Sequence, residues 1–303
     1  MNQSFYDKLN NVIGKDSILI DEPMSRHTTF RVGGPADFFV TPKAKEEVRD
    51  VIRICKEAGM PYYIIGNGSN LLVSDAGYRG VIVQIYKEMN EVKVEGDLVK
   101  AQAGALLSGI AAKALGAELS GFEFASGIPG TIGGACVMNA GAYGGEIKDV
   151  LIDATVLTAE GELKTVTRDE LDLSYRHSLV PEKGYIVLSA RFRLTPKPKD
   201  EIKLYMAELR AKRVEKQPLE YPSAGSTFKR PEGYFAGKLI MDAGLRGYSV
   251  GDAQVSEKHC GFVVNKGEAT AADVLTLIKD VQETVLKQFG VKLEPEVKMI
   301  GEF

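Results

Sequence analysis

The chain has 303 residues, with 38 Lys and Arg against 41 Asp and Glu, a net charge of −3. That near-balance excludes nucleic acid as an expected partner, because polyanion binding normally shows as a basic domain. At 44% hydrophobic and 26% charged the chain can bury a sizeable core, and its 32 glycines stand above the usual ~7%.

The chain opens with a short helical pattern that lacks the apolar run of a secretory signal. Residues 27–41 read as extended, with a turn at Gly33-Gly34-Pro35. Thr41-Pro42 predicts an N-cap followed by Pro at the first helical position. Val48, Val51, Ile52 and Cys55 then recur at helical spacing, and Gly59 marks the stop. The β-rich run 62–65 breaks at Gly66-Asn67-Gly68-Ser69-Asn70. Strand, helix and strand make a βαβ unit, so residues 1–80 carry a small sheet with helices. Beyond residue 80 the pattern changes to α+β: a strand at 81–85, a hairpin turning at Glu95-Gly96-Asp97, a helix at about 106–116, a second hairpin at 154–167 and a strand at 185–195. Pro196 and Pro198, set among charges, read as a linker. The last third holds an amphipathic helix over about 271–289, with Val274, Leu277, Ile278, Val281, Val285 and Phe289 on one face.

Cys55, Cys136 and Cys260, like His27, His177 and His259, are too scattered for a structural zinc site. Sparse cysteine fits a reducing compartment, and the expected location is the cytoplasm. The 22 residues from Phe124 to Gly145 carry no charge, but their glycines, Pro129 and Asn139 make them a poor membrane helix, so no membrane insertion is expected.

Residues 126–145 hold seven glycines, a density that implies backbone pressed against something with no Cβ between, or N–H groups turned toward a phosphate. The loop 66–70 is a shorter case. It is no dinucleotide fingerprint, since Leu71 stands where a third glycine belongs, and no GxxxxGK[ST] string occurs. Gly247-Tyr248-Ser249-Val250-Gly251 matches an esterase string, but loop-like sequence precedes it and no helix follows. Arg176 has the chemistry to clamp a carboxylate, Ser226 to donate a proton, and a Glu within 294–296 to polarise an oxygen. Spacing alone does not bring these together.

Seven strings in this order, HTTFRVGGPAD (27–37), GNGSNLLVSD (66–75), SGIPGTIGGACVMNAGAYGGE (126–146), YRHS (175–178), AGSTFKRP (224–231), AQVSEKH (253–259) and LEPEV (293–297), resemble the UDP-N-acetylenolpyruvoylglucosamine reductase family, in its shorter subclass. The resemblance implies an α+β chain with the FAD-binding fold of the vanillyl-alcohol oxidase-like type. Two α+β FAD-binding subdomains (1–80 joined by 291–303, and 81–196) would precede an α+β substrate domain (200–290). It also implies NADPH-dependent, FAD-mediated reduction of UDP-N-acetylglucosamine enolpyruvate, with FAD bound non-covalently and no metal. By position, Ser226 resembles the proton donor, and Arg176 and Glu296 resemble the pair on the enolpyruvyl carboxylate. Gly66, Asn67, Gly68, Ser69, Asn70, Ser126, Gly127, Gly130, Thr131, Gly133 and Gly134 would line the cofactor; Tyr143, Arg213 and Lys216 would meet the substrate. Arg230 replaces an Asn found in some relatives. Two other readings share parts of this pattern. A small-alcohol oxidase on the same fold would keep the glycine loops without needing Ser226, Arg176 and Glu296 together. A flavin-free nucleotide-sugar binder would not need both glycine loops.

Overall fold

The computed structural model describes residues 3–303. In chain order the first elements are α1 (Gln3–Ile13), β1 (Ile18–Pro23), β2 (Pro35–Val40), α2 (Lys45–Glu57), β3 (Tyr62–Ile65), β4 (Leu71–Val73) and β5 (Tyr78–Gln84). Then come β6 (Val92–Glu95), β7 (Leu98–Gln102), α3 (Leu107–Gly116), β8 (Leu119–Ser120), α4 (Ile132–Val137), β9 (Gly141–Ala142), β10 (Gly145–Glu146), β11 (Leu151–Leu157), β12 (Leu163–Thr167), β13 (Ile186–Arg193), β14 (Thr195–Pro196) and α5 (Lys199–Lys216). The last group is β15 (Ser223–Ser226), α6 (Ala236–Asp242), β16 (Ser249–Val250), β17 (Ala253–Val255), β18 (Phe262–Asn265), α7 (Ala271–Phe289) and β19 (Lys298–Ile300).

These elements form two compact units, each built from segments distant in sequence. One holds the residues up to Ile20, Phe38–Asn67 and Gly80–Arg213; the other holds Asp21–Asp37, Gly68–Arg79 and Val214–Phe303. The first unit contains an antiparallel sheet in the order β12-β11-β13-β7-β6. Val48, Val51, Ile52 and Cys55 of α2 are buried in its core, as their spacing predicts. Phe5 meets Phe38 edge-on at 5.1 Å, and Phe122 meets Phe192 at 5.2 Å. Both expected hairpins form, β6 with β7 and β11 with β12.

The second unit carries the sheet β15-β18-β17-β16 and a core in which Val274, Leu277, Ile278, Val281 and Val285 of α7 are buried with Leu239 and Ile240 of α6. Thr270 and Asp273 form a capping box at the start of α7. The Asp75 carboxylate accepts from the next two N–H groups, those of Ala271 and Ala272, at 2.7 and 2.9 Å, where the helix dipole favours negative charge. β4 pairs in parallel with β19, Leu72 opposite Met299, so the chain's last strand is fixed to residues near position 70.

Three sequence expectations need correction. α2 starts at Lys45 with Ala44 as its N-cap, not at Thr41-Pro42. Thr41 N–H is already committed to Ser17 O, and Glu47 reaches back to Lys43 N–H at 2.7 Å to serve the helix start. The βαβ unit is interrupted, because β5 lies between β2 and β3 and pairs in parallel with β3. Phe289, placed on the apolar face of α7, is 39% exposed at the helix end. A break between the compact units falls between Arg79 and Gly80, beside the expected boundary at residue 80, and the next falls after Arg213, beyond 196–200. Thr195 pairs with Ser120, and α5 buries Ile202 and Leu209, which carries the first unit on to Arg213. The charge-free stretch 124–145 is broken into α4, β9 and β10, and no described helix is long and apolar enough to cross a membrane.

All three cysteines are free and buried. Burial pushes the Cys55 and Cys136 thiols up to about 12. At pH 8 their reactive thiolate is therefore on the order of one part in 10,000. Ellman's reagent should leave both unlabelled in the native protein and react with all three cysteines after denaturation. Rapid native labelling of Cys55 or Cys136 would contradict this burial.

Candidate active site

The loop that follows β3 is shaped by close approach. A Cβ on Gly66 would lie 2.1 Å from Thr131 Oγ1, and one on Gly68 would lie 2.0 Å from His27 O at a φ of +61°. Only glycine tolerates both conditions. Asn67 Nδ2 donates to Pro129 O at 2.6 Å, which ties the loop to the glycine-dense stretch, and Gln84 Nε2 of β5 donates to Gly66 O at 3.1 Å. Among the described residues, the N–H groups of Gly66, Asn67, Gly68 and Ser69 find no acceptor. Successive undirected N–H groups of this kind make an anion-binding concavity, so the loop fits a pyrophosphate. The glycine density is thus explained in part by the protein itself, since Gly66 and Gly68 let other backbone in.

The expected residues of the stretch 126–134 have mixed duties. Thr131 caps α4, its hydroxyl accepting from Gly134 N–H at 3.5 Å. The Gly133 N–H goes to Ala103 O at 2.8 Å, and Gly130 O accepts from Leu107 N–H at 3.0 Å. The Ser126 hydroxyl donates to Glu123 O at 2.7 Å. These groups shape the loop through internal bonds, unlike the open amides of 66–69.

Arg176 sits at a φ of +54° in a turn closed by Ser174 and His177. Such strain in a non-glycine residue is characteristic of functional sites. Asn139, fully buried and also at positive φ (+44°), holds that turn by donating to Ser174 O at 3.0 Å and accepting from Lys148 N–H at 2.9 Å. Arg176 stacks on Tyr175 at 5.0 Å and points an N–H toward Gly141 O at 3.5 Å. Tyr143 is likewise in the left-handed region (φ +54°) and is 40% exposed. Arg213 lies against Gly127, where an added Cβ would meet its guanidinium at 2.8 Å. Burial pulls that guanidinium below the ordinary arginine value, with Tyr143 opposing. Two of the three expected substrate residues, Tyr143 and Arg213, therefore share one electrostatic neighbourhood.

In the other unit Ser226 ends β15, and Glu296 lies on the C-terminal segment. They are joined through Thr227, whose carbonyl accepts from Glu296 N–H at 2.8 Å. Lys229 N–H donates to Glu294 O at 2.9 Å, and Phe228 bridges Pro295 in antiparallel fashion. Asn70, expected at the cofactor, donates its side-chain amide to Glu296 O at 3.2 Å. Lys216 is exposed. It adds a smaller push to the lowered proton affinity of His259, which comes chiefly from burial. His259 Nδ1 accepts from Gly261 N–H at 3.1 Å. Ser249 is an exposed residue of the short strand β16, followed by β17 and not by a helix, so the esterase string has no catalytic setting.

An open depression of about 570 Å³ is lined by Lys148, Asp149, Arg168, Asp169, Asp172 and Leu173. It holds none of the expected site residues, and its cations are paired, Lys148 with Glu146 and Arg168 with Asp169. Among the described residues no cluster of His, Cys, Asp and Glu could hold a metal ion. Sequence reasoning missed Asn139 and Thr227. Their only signal was a polar residue inside a glycine-dense or otherwise apolar string.

Residues 36–167 match an FAD-binding domain family, and residues 217–300 match the C-terminal domain of UDP-N-acetylenolpyruvoylglucosamine reductase. The UDP-N-acetylenolpyruvoylglucosamine reductase of Agathobacter rectalis is 72% identical over the whole of both chains. The crystal structure of the Thermus caldophilus enzyme of that name superposes with a TM-score of 0.80 at 38% identity, covering 93% of this chain and 97% of that one. A 4-ethylphenol oxidase from Gulosibacter chungangensis, at 14% identity, covers 97% of this chain and 64% of its own with a TM-score of 0.50, a likeness of fold alone. Fold and family matches together define an FAD-dependent oxidoreductase with the vanillyl-alcohol oxidase-like FAD-binding fold and a C-terminal α+β substrate domain. Within that class, the chain belongs to the UDP-N-acetylenolpyruvoylglucosamine reductase family.

Substituting Gly68 by Ala should cost roughly 2 kcal/mol or more, since it adds both backbone strain and overlap with His27 O. Gly116, at the exposed end of α3 with nothing within 4 Å of its Cβ position, should accept Ala within about 0.5 kcal/mol. Thermal midpoints of the two variants check this; equal stability would contradict the close approach at Gly68.

Proposed function

We propose that the protein reduces UDP-N-acetylglucosamine enolpyruvate to UDP-N-acetylmuramate in the cytoplasm, using dissociable FAD and taking its electrons from NADPH. The observation that carries this reading is the pairing of residues 227–229 with 294–296, which gives Ser226 and Glu296 a common frame. The open amides of Gly66, Asn67, Gly68 and Ser69 would hold the FAD pyrophosphate, with Asn70 and the stretch from Ser126 to Gly134 completing the cradle. We assign this cradle to two subdomains, 1–80 with 291–303 and 81–196, and the sugar nucleotide to 200–290.

FAD, when bound, would supply the hydride-transfer chemistry that reduces the enolpyruvyl group at its terminal carbon. Negative charge then develops on the neighbouring carbon and its carboxylate. Arg176, held in its strained turn, stabilises that charge as it forms, and Glu296 hydrogen-bonds the same group. The Ser226 hydroxyl delivers the proton to the carbon beside the carboxylate; an enolate-like carbanion is basic enough to take it. Tyr143, Arg213 and Lys216 would hold the sugar and diphosphate. The partially desolvated Arg213 guanidinium pairs with phosphate more strongly than a fully hydrated one.

NADPH oxidation by the purified protein should depend on the enolpyruvyl sugar, and the product should gain one hydride and one proton by mass spectrometry. Ser226→Ala should lower kcat about 10²–10⁴-fold while the variant keeps its FAD. A wild-type protein that oxidises NADPH only with oxygen, or a fully active Ser226→Ala, would overturn the reading.

A further inference from the structure

We propose that Thr227 is a positioning residue for the proton-transfer half of the reaction, its hydroxyl fixing the strand irregularity that sets Ser226 against Glu296. The proposal rests on the reading above of Ser226 and Glu296, and it assigns a role to a fully buried residue that acts through them.

The geometry is specific. β15 and β18 pair at Ser223 with Val264 and again at Ser226 with Phe262, so three steps on one strand oppose two on the other. The additional residue makes a bulge, and Gly225 at a φ of +78° lets the backbone turn there. Bulges re-aim the side chains beside them, and the residue re-aimed here is Ser226. A bulge also breaks the hydrogen-bond ladder, leaving an inner N–H to be satisfied by other means. That N–H belongs to Val263, and it donates to the Thr227 side-chain oxygen at 3.0 Å.

Thr227 is fully buried and makes two further main-chain bonds. Its N–H donates to Gly261 O at 2.8 Å, and its carbonyl accepts from Glu296 N–H at 2.8 Å. One residue thus fastens the strand that ends in Ser226 to β18 on one side and to the Glu296 segment on the other. Removing the hydroxyl leaves Val263 N–H buried without an acceptor, and the strand's way to restore it is to slip out of the bulge. Such a slip turns Ser226 away from its present heading, while Gly66 and Asn67 keep their own bonds with Gln84 and Pro129.

The test uses FAD-loaded enzyme and two rapid-mixing measurements: flavin reduction by NADPH, and reoxidation of the reduced flavin by UDP-N-acetylglucosamine enolpyruvate. Thr227→Val, which keeps shape and loses the hydroxyl, should leave flavin reduction within about twofold of wild type and slow reoxidation on the order of 10–100-fold. The solvent deuterium effect on reoxidation should grow, because proton delivery becomes the slow step. Thr227→Ser, which keeps the acceptor, should restore reoxidation to within about threefold of wild type. Thr227→Ala is read in the same way if the valine variant does not fold. If Thr227→Val and Thr227→Ala reoxidise at the wild-type rate while Ser226→Ala does not, the positioning role is wrong and the reading of the site stands. If Ser226→Ala also reoxidises normally, the reading of the site falls, and this inference falls with it. Equal slowing of both half-reactions, unrescued by serine, would mark Thr227 as merely structural.

Discussion

The short antiparallel bridge between residues 227–229 and 294–296 is the constraint on which the second unit depends. It brings the end of the chain back to the end of β15, and the β4–β19 ladder and the Asp75 cap on α7 draw residues 68–79 to the same place. Three segments far apart in sequence must close on one another for this unit to exist. Loop closure over such distances adds only about 0.6 kcal/mol for each doubling of loop length. The apolar face of α7, buried along most of its length, offsets that cost at ~25 cal/mol per Å². Ser226, Thr227, Asn70 and Glu296 meet because the fold closes there.

The loop after β3 meets a different constraint, that of presenting undirected main-chain N–H groups. The loop after β3 can turn its amides outward because Gly66 and Gly68 allow Thr131 and His27 to come close on the other side. Asn67 and Gln84 then hold it by side-chain bonds that leave those amides uncommitted. Arg176 is treated in parallel fashion, its left-handed turn fastened through the buried amide of Asn139. In both cases strain and close packing are local.

What was legible in the sequence was local. The apolar spacing of α2 and α7 and the two hairpins follow from periodicity and turn chemistry over a few residues. The start of α2 was misplaced because Thr41 N–H serves a strand contact to Ser17, a commitment invisible along the chain. The stretch around Pro196 resembled a linker because its pairing with β8 joins residues about 75 positions apart. The proposed catalytic set is legible only through the family resemblance, since spacing gives no reason to associate Ser226 with Glu296. Asn139 and Thr227 were missed because hydrogen bonds to backbone that only the fold brings near leave no pattern in composition.

The central claim is that one protein carries electrons from NADPH through FAD to an enolpyruvyl sugar. The most direct measurement is the visible spectrum of FAD-loaded protein kept free of oxygen, first with NADPH and then with UDP-N-acetylglucosamine enolpyruvate. The account predicts that the flavin bands near 370 and 450 nm (approximate values for any bound flavin) bleach with NADPH and return only on adding the enolpyruvyl sugar. Bands that stay bleached until oxygen is admitted would contradict it.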